Sequence, residues 1–172
     1  MGARMAMERH SGSEENILSG NVVRVLLGSL RPGRMLASLR DPWVWGLALA
    51  GAAGLLWPPR GNAPQLSFIL LAALIEETAF RACLQDCAEA WLKERRAGEG
   101  FRRSGFLSAL PTGGNLAVSV LFAASHAFAH SPLMAALTFA PSLGLGILWT
   151  RHRSLWLCTL VHAWYNFLFW HC

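Results

Sequence analysis

Charged residues are scarce in this chain, and their scarcity excludes an ordinary soluble domain. Only 15% of the 172 residues are Asp, Glu, Lys or Arg, whereas 53% are hydrophobic. Soluble globular domains carry about 25% charged residues. The charges are also unevenly placed, because long apolar windows alternate with short arginine-rich segments. This alternation predicts a helical membrane protein that crosses the bilayer several times.

Other familiar signatures are missing as well. Residues 1–16 lack the apolar centre and the small-residue cleavage site of a secretory signal. The four cysteines form no disulfide framework, since Cys83 and Cys87 lie one helical turn apart, where side chains share a face but rarely bridge. We expect reduced thiols. The net charge of +5 does not indicate a nucleic-acid partner, because the basic residues flank the apolar segments.

The apolar segments predict an all-α fold, a multi-pass transmembrane helical bundle of about five spans. Each crossing needs about 20 residues, so the chain has room for roughly four to six. Proline punctuates the pattern, since Pro42 opens the first span and Pro141 interrupts the fourth. The predicted spans cover residues 42–57, 66–83, 115–129, 133–150 and 154–172.

Two segments outside the spans have their own character. Residues 17–40 alternate apolar clusters with four arginines, which predicts a helix lying on the membrane surface. The second span is expected to continue as a cytoplasmic helix to Arg96. Residues 98–114 are rich in glycine and arginine and are predicted to form a loop or a mobile gate.

The basic residues predict the orientation. Thirteen of the fifteen Lys and Arg residues fall on one side of this layout, with Arg60 on the other side and Arg81 within a span. By the positive-inside rule the N-terminus is cytoplasmic, and a bacterial inner membrane suits this bias. The chain then divides into a cytoplasmic or interfacial segment, 1–41, and a membrane domain, 42–172, whose motif-bearing core is 66–172.

Three short patterns place polar side chains inside three of the spans. Ionisable groups in hydrocarbon are costly and usually face a bundle interior, where they serve chemistry or transport. At a rise of about 1.5 Å per residue, the motif residues of all three spans lie near the membrane midplane. The patterns therefore predict one shared polar site. They are Glu76-Glu77-Thr78-Ala79-Phe80-Arg81, Phe122-Ala123-Ala124-Ser125-His126 and His162-Ala163-Trp164-Tyr165-Asn166.

The residue types indicate a hydrolytic site. Glu77 and Arg81 are four residues apart with the acid first, the favourable order for a supporting ion pair. Glu76 is rotated by about 100° from Glu77, has no basic residue at i+4 and suits a general base. His162 and Asn166 share a helical face and can present N–H donors to an oxyanion. A purely structural knot of polar residues between the helices is the alternative.

His126 completes the predicted catalytic set. Taken alone, it is typical of a satisfied interior histidine. At the same depth as Glu76 and His162, it is predicted to take part in catalysis. We expect no functional role for His130, which lies at the end of its span.

The three patterns together resemble those of the CAAX-protease and bacteriocin-processing family, also called the CPBP or Abi family. The family signature is Glu-Glu-x-x-x-Arg, then Phe-x-x-x-His, then His-x-x-x-Asn on successive membrane helices. Residues 76–81, 122–126 and 162–166 match every defined position. Each pattern alone is weak, but the ordered set within apolar spans is fairly specific. The resemblance covers about residues 66–172.

The resemblance implies a glutamic-type intramembrane endopeptidase that needs no cofactor and no metal. Carried over, Glu76 and His126 would activate water, and His162 and Asn166 would stabilise the oxyanion. Glu77 and Arg81 would support the helix and the charge balance. The short chain resembles bacterial forms that remove C-terminal sorting tails, of the myxosortase-like kind. Its expected partners are the lipid bilayer and a membrane-anchored protein or peptide, cut near its C-terminal end.

Two further interpretations stay open at this stage. The same Glu and His residues could hold zinc in a His₂Glu set, although the His-Glu-x-x-His pattern of common zinc peptidases is absent. A non-catalytic bacteriocin-immunity protein or membrane peptide-binding protein could use the same cavity. Serine-type proteolysis has little support, because no Gly-x-Ser-x-Gly element accompanies the histidines.

Overall fold

The structure, a computed structural model, describes residues 23–52, 64–95 and 110–171, without the side chains of 170 and 171. Throughout these ranges the regular structure is helical and no strand is present. The predicted all-α fold class is therefore confirmed. The described helices are α1 (23–29), α2 (Pro32–Ser38), α3 (Pro42–Ala52), α4 (Leu66–Glu77), a π-helical segment (Thr78–Gln85), α5 (Asp86–Arg95), α6 (Gly113–His126), α7 (Pro132–Leu137), α8 (Phe139–His152) and α9 (Leu155–His171).

Local signals in the sequence explain several helix ends. The Thr112 hydroxyl accepts a hydrogen bond from the backbone N–H of Asn115 and so caps the start of α6. Ser131 caps α7 in the same way, followed by proline at the first helical position. At the other end of α8, Arg153 adopts a left-handed conformation with φ of 50° and stops the helix.

Helix α9 occupies the centre of the described structure. It packs against α4 over most of its length and also contacts α3 and α8, whereas α6 packs against α5, α7 and α8. The main apolar core lies where α8 and α9 meet, with Leu148, Trp149 and Cys158 fully buried. This arrangement brings the motif-bearing parts of α4 and α9 side by side.

A polar clamp fixes the end of α8 to the start of α5. One carboxylate oxygen of Asp86 accepts hydrogen bonds from Trp149 Nε1 at 2.9 Å and Arg153 Nη1 at 2.5 Å. The second oxygen of Asp86 lies 2.6 Å from the same Arg153 nitrogen. The clamp holds the helix that carries the first motif against α8.

A second clamp joins the N-terminal helices to the turn between α8 and α9. The Asp41 carboxylate accepts a hydrogen bond from the Trp43 backbone N–H at the start of α3 and pairs with Arg151 at 2.8 Å and His152 at 3.0 Å. Burial opposes the charged form of Asp41. The Trp43 N–H and the two basic side chains outweigh it, so the pKa of Asp41 is lowered from its ordinary value.

The outer surface carries many large apolar side chains. Phe68, Leu71 and Ile75 lie exposed along one side of α4, and Leu116 and Val120 along one side of α6. Such a surface fits contact with lipid. One stretch of helix among the described residues, Pro132–His152, is long and apolar enough to cross a membrane by length and composition, and Leu155–Phe169 is apolar but shorter. The number of spans stays a prediction.

The structure corrects two of the predicted helix boundaries. Gly113 and Gly114, predicted to lie in a loop, form the first turn of α6, because the Thr112 cap starts the helix there. The same helix ends at His126, three residues before the predicted end at Ala129.

The break within the fourth predicted span falls at Thr138 and not at Pro141. Pro141 is instead the third residue of α8. There it does no harm, because the first N–H groups of a helix have no partner within it.

Most of the remaining boundary predictions agree with the described residues. The second span continues without a break to Arg95, and a tight turn at Arg153 joins α8 and α9. The segment predicted as one surface helix forms two short helices, α1 and α2, separated at Leu30 and Arg31, and its residues 17–22 lie outside the described ranges. Its place on a membrane surface stays a prediction. The segments 53–57 and 98–109 also lie outside the described ranges. The three described cysteines, Cys83, Cys87 and Cys158, are free thiols, as predicted.

Candidate active site

A buried ion pair forms the base of the candidate site. Glu77 Oε2 lies 3.3 Å from Arg81 Nε, and both side chains are fully buried. The sequence predicted this pair from its i, i+4 spacing. Because a buried unpaired charge costs several kcal/mol, each residue requires the other.

His162 lies between two adjacent carboxylates. Its Nδ1 is 2.8 Å from Glu77 Oε1, and its Nε2 is 3.6 Å from Glu76 Oε2. The Glu77 carboxylate, paired with Arg81, accepts hydrogen bonds and cannot donate one, so the Nδ1 atom of His162 carries a proton. Helices α4 and α9 thus meet at a carboxylate–imidazole contact that the sequence did not predict.

Glu76 has one carboxylate oxygen available for chemistry. Its side chain is one-third exposed, yet Oε2 is buried and has no hydrogen-bond partner among the described residues. A buried acceptor without a partner is costly and in native proteins usually meets water or a ligand. The 3.6 Å separation from His162 is too long for a direct hydrogen bond. Among the described residues, this oxygen is therefore a buried acceptor beside His162 Nε2 that lacks a protein partner.

His126 approaches the site through an aromatic ring. Its Nδ1 lies 2.9 Å from the backbone oxygen of Phe122, to which it donates a hydrogen bond. The Phe122 ring lies 4.4 Å from the His126 ring and 5.8 Å from the His162 ring, between centroids. With the Nδ1 proton held by the carbonyl, Nε2 of a neutral His126 ring is an acceptor. No hydrogen bond or ion pair joins His126 to Glu76 among the described residues.

Asn166 lies one turn beyond His162 on α9, on the same face. It is half-buried, and its side-chain amide makes no hydrogen bond to another described residue. Its donors are therefore free for a ligand. The structure thus groups Glu76, Glu77, Arg81 and His162 by direct contact, joins His126 through Phe122, and places Asn166 beside His162.

The backbone that follows the two glutamates of the first motif has an unusual helical form. Thr78–Gln85 is a π-helix, in which each turn is wider than in an α-helix. Wide turns of this kind are rare and occur frequently at functional sites. Arg81 and Gln85 are both fully buried on this segment. Sequence periodicity could not predict it, since the apolar pattern fits an ordinary helix.

Further buried polar residues extend the site beyond the motifs. Arg81 donates from Nη1 to Gln85 and from Nη2 to Ser142, at 3.3 and 2.6 Å. Ser142 in turn meets Ser119, and Ser119 meets Asn115. Sequence reasoning did not identify these four residues. Their only signal was polarity within apolar helices, which serine shares with many structural positions in membrane proteins.

The described side chains do not support the zinc interpretation. Among the described residues, no three His, Cys, Asp or Glu side chains form a group that could hold a metal ion.

Comparison with known families decides the affiliation. A family model described as type II CAAX prenyl endopeptidase Rce1-like matches residues 60–168. The chain belongs to this family. The match contains all three motifs, so the resemblance found in the sequence is confirmed at the level of the family. Comparisons with curated proteins and with solved structures gave no match.

Membership of this family implies a general class of activity. The Rce1-like family consists of CAAX-type proteases embedded in the membrane. The chain is accordingly a membrane-embedded hydrolase of the CAAX-protease type.

Proposed function

We propose that the chain is a glutamic-type intramembrane endopeptidase in which Glu76 activates a water molecule. One observation carries the proposal: the unpartnered, buried Oε2 of Glu76 lies 3.6 Å from His162 Nε2. A water molecule hydrogen-bonded to the Glu76 carboxylate, whose side chain is one-third exposed, would be held at the edge of the site, where a peptide carbonyl could approach. No other described carboxylate combines these properties.

The roles of the neighbours follow from their hydrogen bonds. His126 Nε2 accepts a hydrogen bond from the same water and orients it. His162 donates a hydrogen bond from its Nδ1–H group to Glu77 Oε1. Its Nε2 atom can therefore donate to an oxyanion only when the ring is doubly protonated. Asn166 adds an amide N–H, and such a donor is typically worth about 100-fold or more in rate.

The reaction balances with these groups. Water attacks the carbonyl carbon, and one of its protons passes to the Glu76 carboxylate. The carbonyl oxygen becomes an oxyanion that accepts hydrogen bonds from His162 and Asn166. When the tetrahedral intermediate collapses, the carbon–nitrogen bond breaks and Glu76 returns the proton to the amine. The products are a new C-terminal carboxyl group and a free amine.

The substrate class in this proposal is a membrane-anchored protein that loses a C-terminal segment. Two observations support this class: the family description, and the exposed apolar side chains of the helices that carry the site. We also propose five spans with a cytoplasmic N-terminus, a membrane domain over 42–172 and a bacterial inner membrane, on the strength of the basic-residue distribution.

The test is a comparison of membrane-protein C-termini by mass spectrometry in native cells. Wild type, Glu76→Gln and Glu94→Gln are expressed to equal levels. Glu94 is an exposed residue of α5 and serves as a matched control. The proposal expects a protein that is shortened in wild type and Glu94→Gln cells but intact with Glu76→Gln. Identical C-termini in all three strains would overturn it and favour a non-catalytic peptide-binding or immunity protein.

A further inference from the structure

All three nitrogens of the Arg81 guanidinium are held by side chains. Nε contacts Glu77, Nη1 donates to Gln85 Oε1, and Nη2 donates to Ser142 Oγ. All four side chains are fully buried. A guanidinium held at three points cannot rotate without breaking several charge-assisted hydrogen bonds at once. The position of Arg81 is therefore set by Gln85 and Ser142, which lie outside the three motifs.

The hydrogen bonds beyond Ser142 run in one direction. Arg81 can only donate, so Ser142 accepts from it and uses its own hydroxyl proton toward Ser119 Oγ, at 3.1 Å. Ser119 then donates to Asn115 Oδ1, also at 3.1 Å. The chain ends where Asn115 Nδ2 donates to the backbone oxygen of Leu143 at 3.0 Å. Every hydroxyl proton in this series thus has one defined acceptor.

This series ties three helices to the site. Ser119 and Asn115 belong to α6, Ser142 to α8, and Arg81 to the π-helical segment. The backbone at Gly146 leaves the room for it, because a Cβ there would overlap the Asn115 side chain. The Asn115 backbone is in turn fixed by the Thr112 cap of α6. A displacement at Asn115 or Ser142 would therefore reach Arg81 through bonded contacts.

We propose that Ser142 and Ser119 are positioning residues of the peptidase site, which act through Arg81 to hold Glu77 against Nδ1 of His162. The kinetic part of this inference rests on the proposed function. The path consists of successive hydrogen bonds. Asn115 orients Ser119, and Ser119 orients Ser142, which accepts from Arg81. Arg81 in turn orients Glu77, which accepts the Nδ1–H hydrogen bond of His162. Neither positioning residue contacts Glu76 or His162 directly.

The first experiment measures the NMR signals of the His162 ring nitrogens in the absence of substrate. Protein labelled with ¹⁵N in its histidine rings is placed in lipid nanodiscs, and the His162 signals are assigned by their loss in His162→Gln. We expect Ser142→Ala and Ser119→Ala to shift or broaden the Nδ1–H signal of His162, and Ser142→Thr to restore it. Ser38→Ala is the matched control, because Ser38 is equally buried but bonds only to the Met35 oxygen of its own helix.

The second experiment separates kcat from KM. Cleavage of a quenched fluorescent peptide that ends in a farnesylated CAAX box is followed in the same nanodiscs. We expect Ser142→Ala to lower kcat by about 10-fold or more, with KM changed by less than about twofold, because the loss concerns the alignment of catalytic groups. Ser142→Thr recovers most of the rate, and Ser38→Ala keeps it. Both experiments are corrected for the folded fraction of each variant.

The outcomes separate the two proposals. An unchanged His162 signal and an unchanged kcat in folded Ser142→Ala and Ser119→Ala would overturn the positioning role and leave the peptidase intact. A response of the His162 signal without any cleavage of the peptide by wild type would support positioning and count against the proposed function for this substrate. If Ser142→Ala does not fold, Ser119→Ala decides, since it keeps the Ser142 oxygen that accepts from Arg81.

Discussion

The Glu77 carboxylate accepts a 2.8 Å hydrogen bond from Nδ1 of His162, a residue 85 positions later in the chain. This contact makes two neighbouring glutamates different. Glu77 is fully buried between Arg81 and His162, whereas Glu76 is one-third exposed and keeps one oxygen unpartnered. The pair therefore divides into a carboxylate that holds the site together and a carboxylate that is free to react.

Exchange of each glutamate for glutamine tests this division. Glu77→Gln leaves Arg81 without its charge partner in a buried setting, and we expect a loss of about 3–5 kcal/mol in the free energy of unfolding. Glu76→Gln removes no hydrogen bond to another described residue, so we expect a change within about 0.5 kcal/mol. Chemical unfolding in detergent micelles measures both. Equal losses of stability would contradict the division.

Asn166 is expected to matter for rate and little for folding. Its amide makes no hydrogen bond to another described residue, so Asn166→Ala removes no interaction that the folded protein uses. If the amide donates to the oxyanion, the variant lowers kcat by about 10²–10³ with an unchanged unfolding midpoint. Steady-state kinetics and a thermal melt of the same preparation give both values. A variant that melts early and turns over normally would refute this role.

Close packing at Gly146 gives a prediction about stability. Gly146→Ala places a methyl group where the Asn115 side chain lies, and we expect a cost of about 1–3 kcal/mol. The double variant Gly146→Ala, Asn115→Ala removes the overlap, so its cost should fall below the sum of the two single costs. Additive costs in a double-mutant cycle would show that the two residues do not compete for space.

The Asp41 clamp predicts a pH dependence of stability. The pKa of Asp41 is lowered in the folded protein, so its contribution is complete above the ordinary value of about 3.9 and disappears as the pH falls through the lower folded pKa. Asp41→Asn keeps a capping oxygen for the Trp43 N–H but removes the charge that Arg151 and His152 attract. We expect its melting temperature to lie roughly 2–4 °C below wild type at pH 7, corresponding to about 1 kcal/mol.

The difference between wild type and Asp41→Asn should begin to close once the pH falls below the ordinary pKa of Asp41, and it should vanish below the lower pKa of the folded protein. Thermal melts of both proteins in one pH series measure it directly. A gap that stays constant down to the lowest pH at which both proteins fold would show that the charge of Asp41 does not contribute to folding.

The sequence predicted those features of the site that lie within one helix. The i, i+4 spacing of Glu77 and Arg81 specifies their contact, and the 3.6-residue period places His162 and Asn166 on one face. The helix start at Thr112 also depends on local chemistry, but the sequence analysis missed it and assigned the two glycines that follow to a loop. Such features need no knowledge of which helices pack together.

The features that depend on helix packing were not predicted. The contact of Glu77 with His162 requires α4 against α9, and the contact of Arg81 with Ser142 requires the π-helical segment against α8. Nothing in the periodicity of either helix specifies its neighbour. The early end of α6 at His126 also depends on the turn that follows it. His126 was predicted to lie inside a span that ends at Ala129, whereas it is the last residue of α6.

The most direct test of the central role of Glu76 is the cleavage rate of purified protein. The substrate identified from the C-termini of native cells is incubated in nanodiscs with wild type, Glu76→Gln or Glu94→Gln, and the new C-terminus is quantified by mass spectrometry. We predict that Glu76→Gln is folded and binds the substrate but produces no shortened product above background, whereas Glu94→Gln cleaves at the wild-type rate. Cleavage by folded Glu76→Gln at a rate near that of wild type would contradict the account.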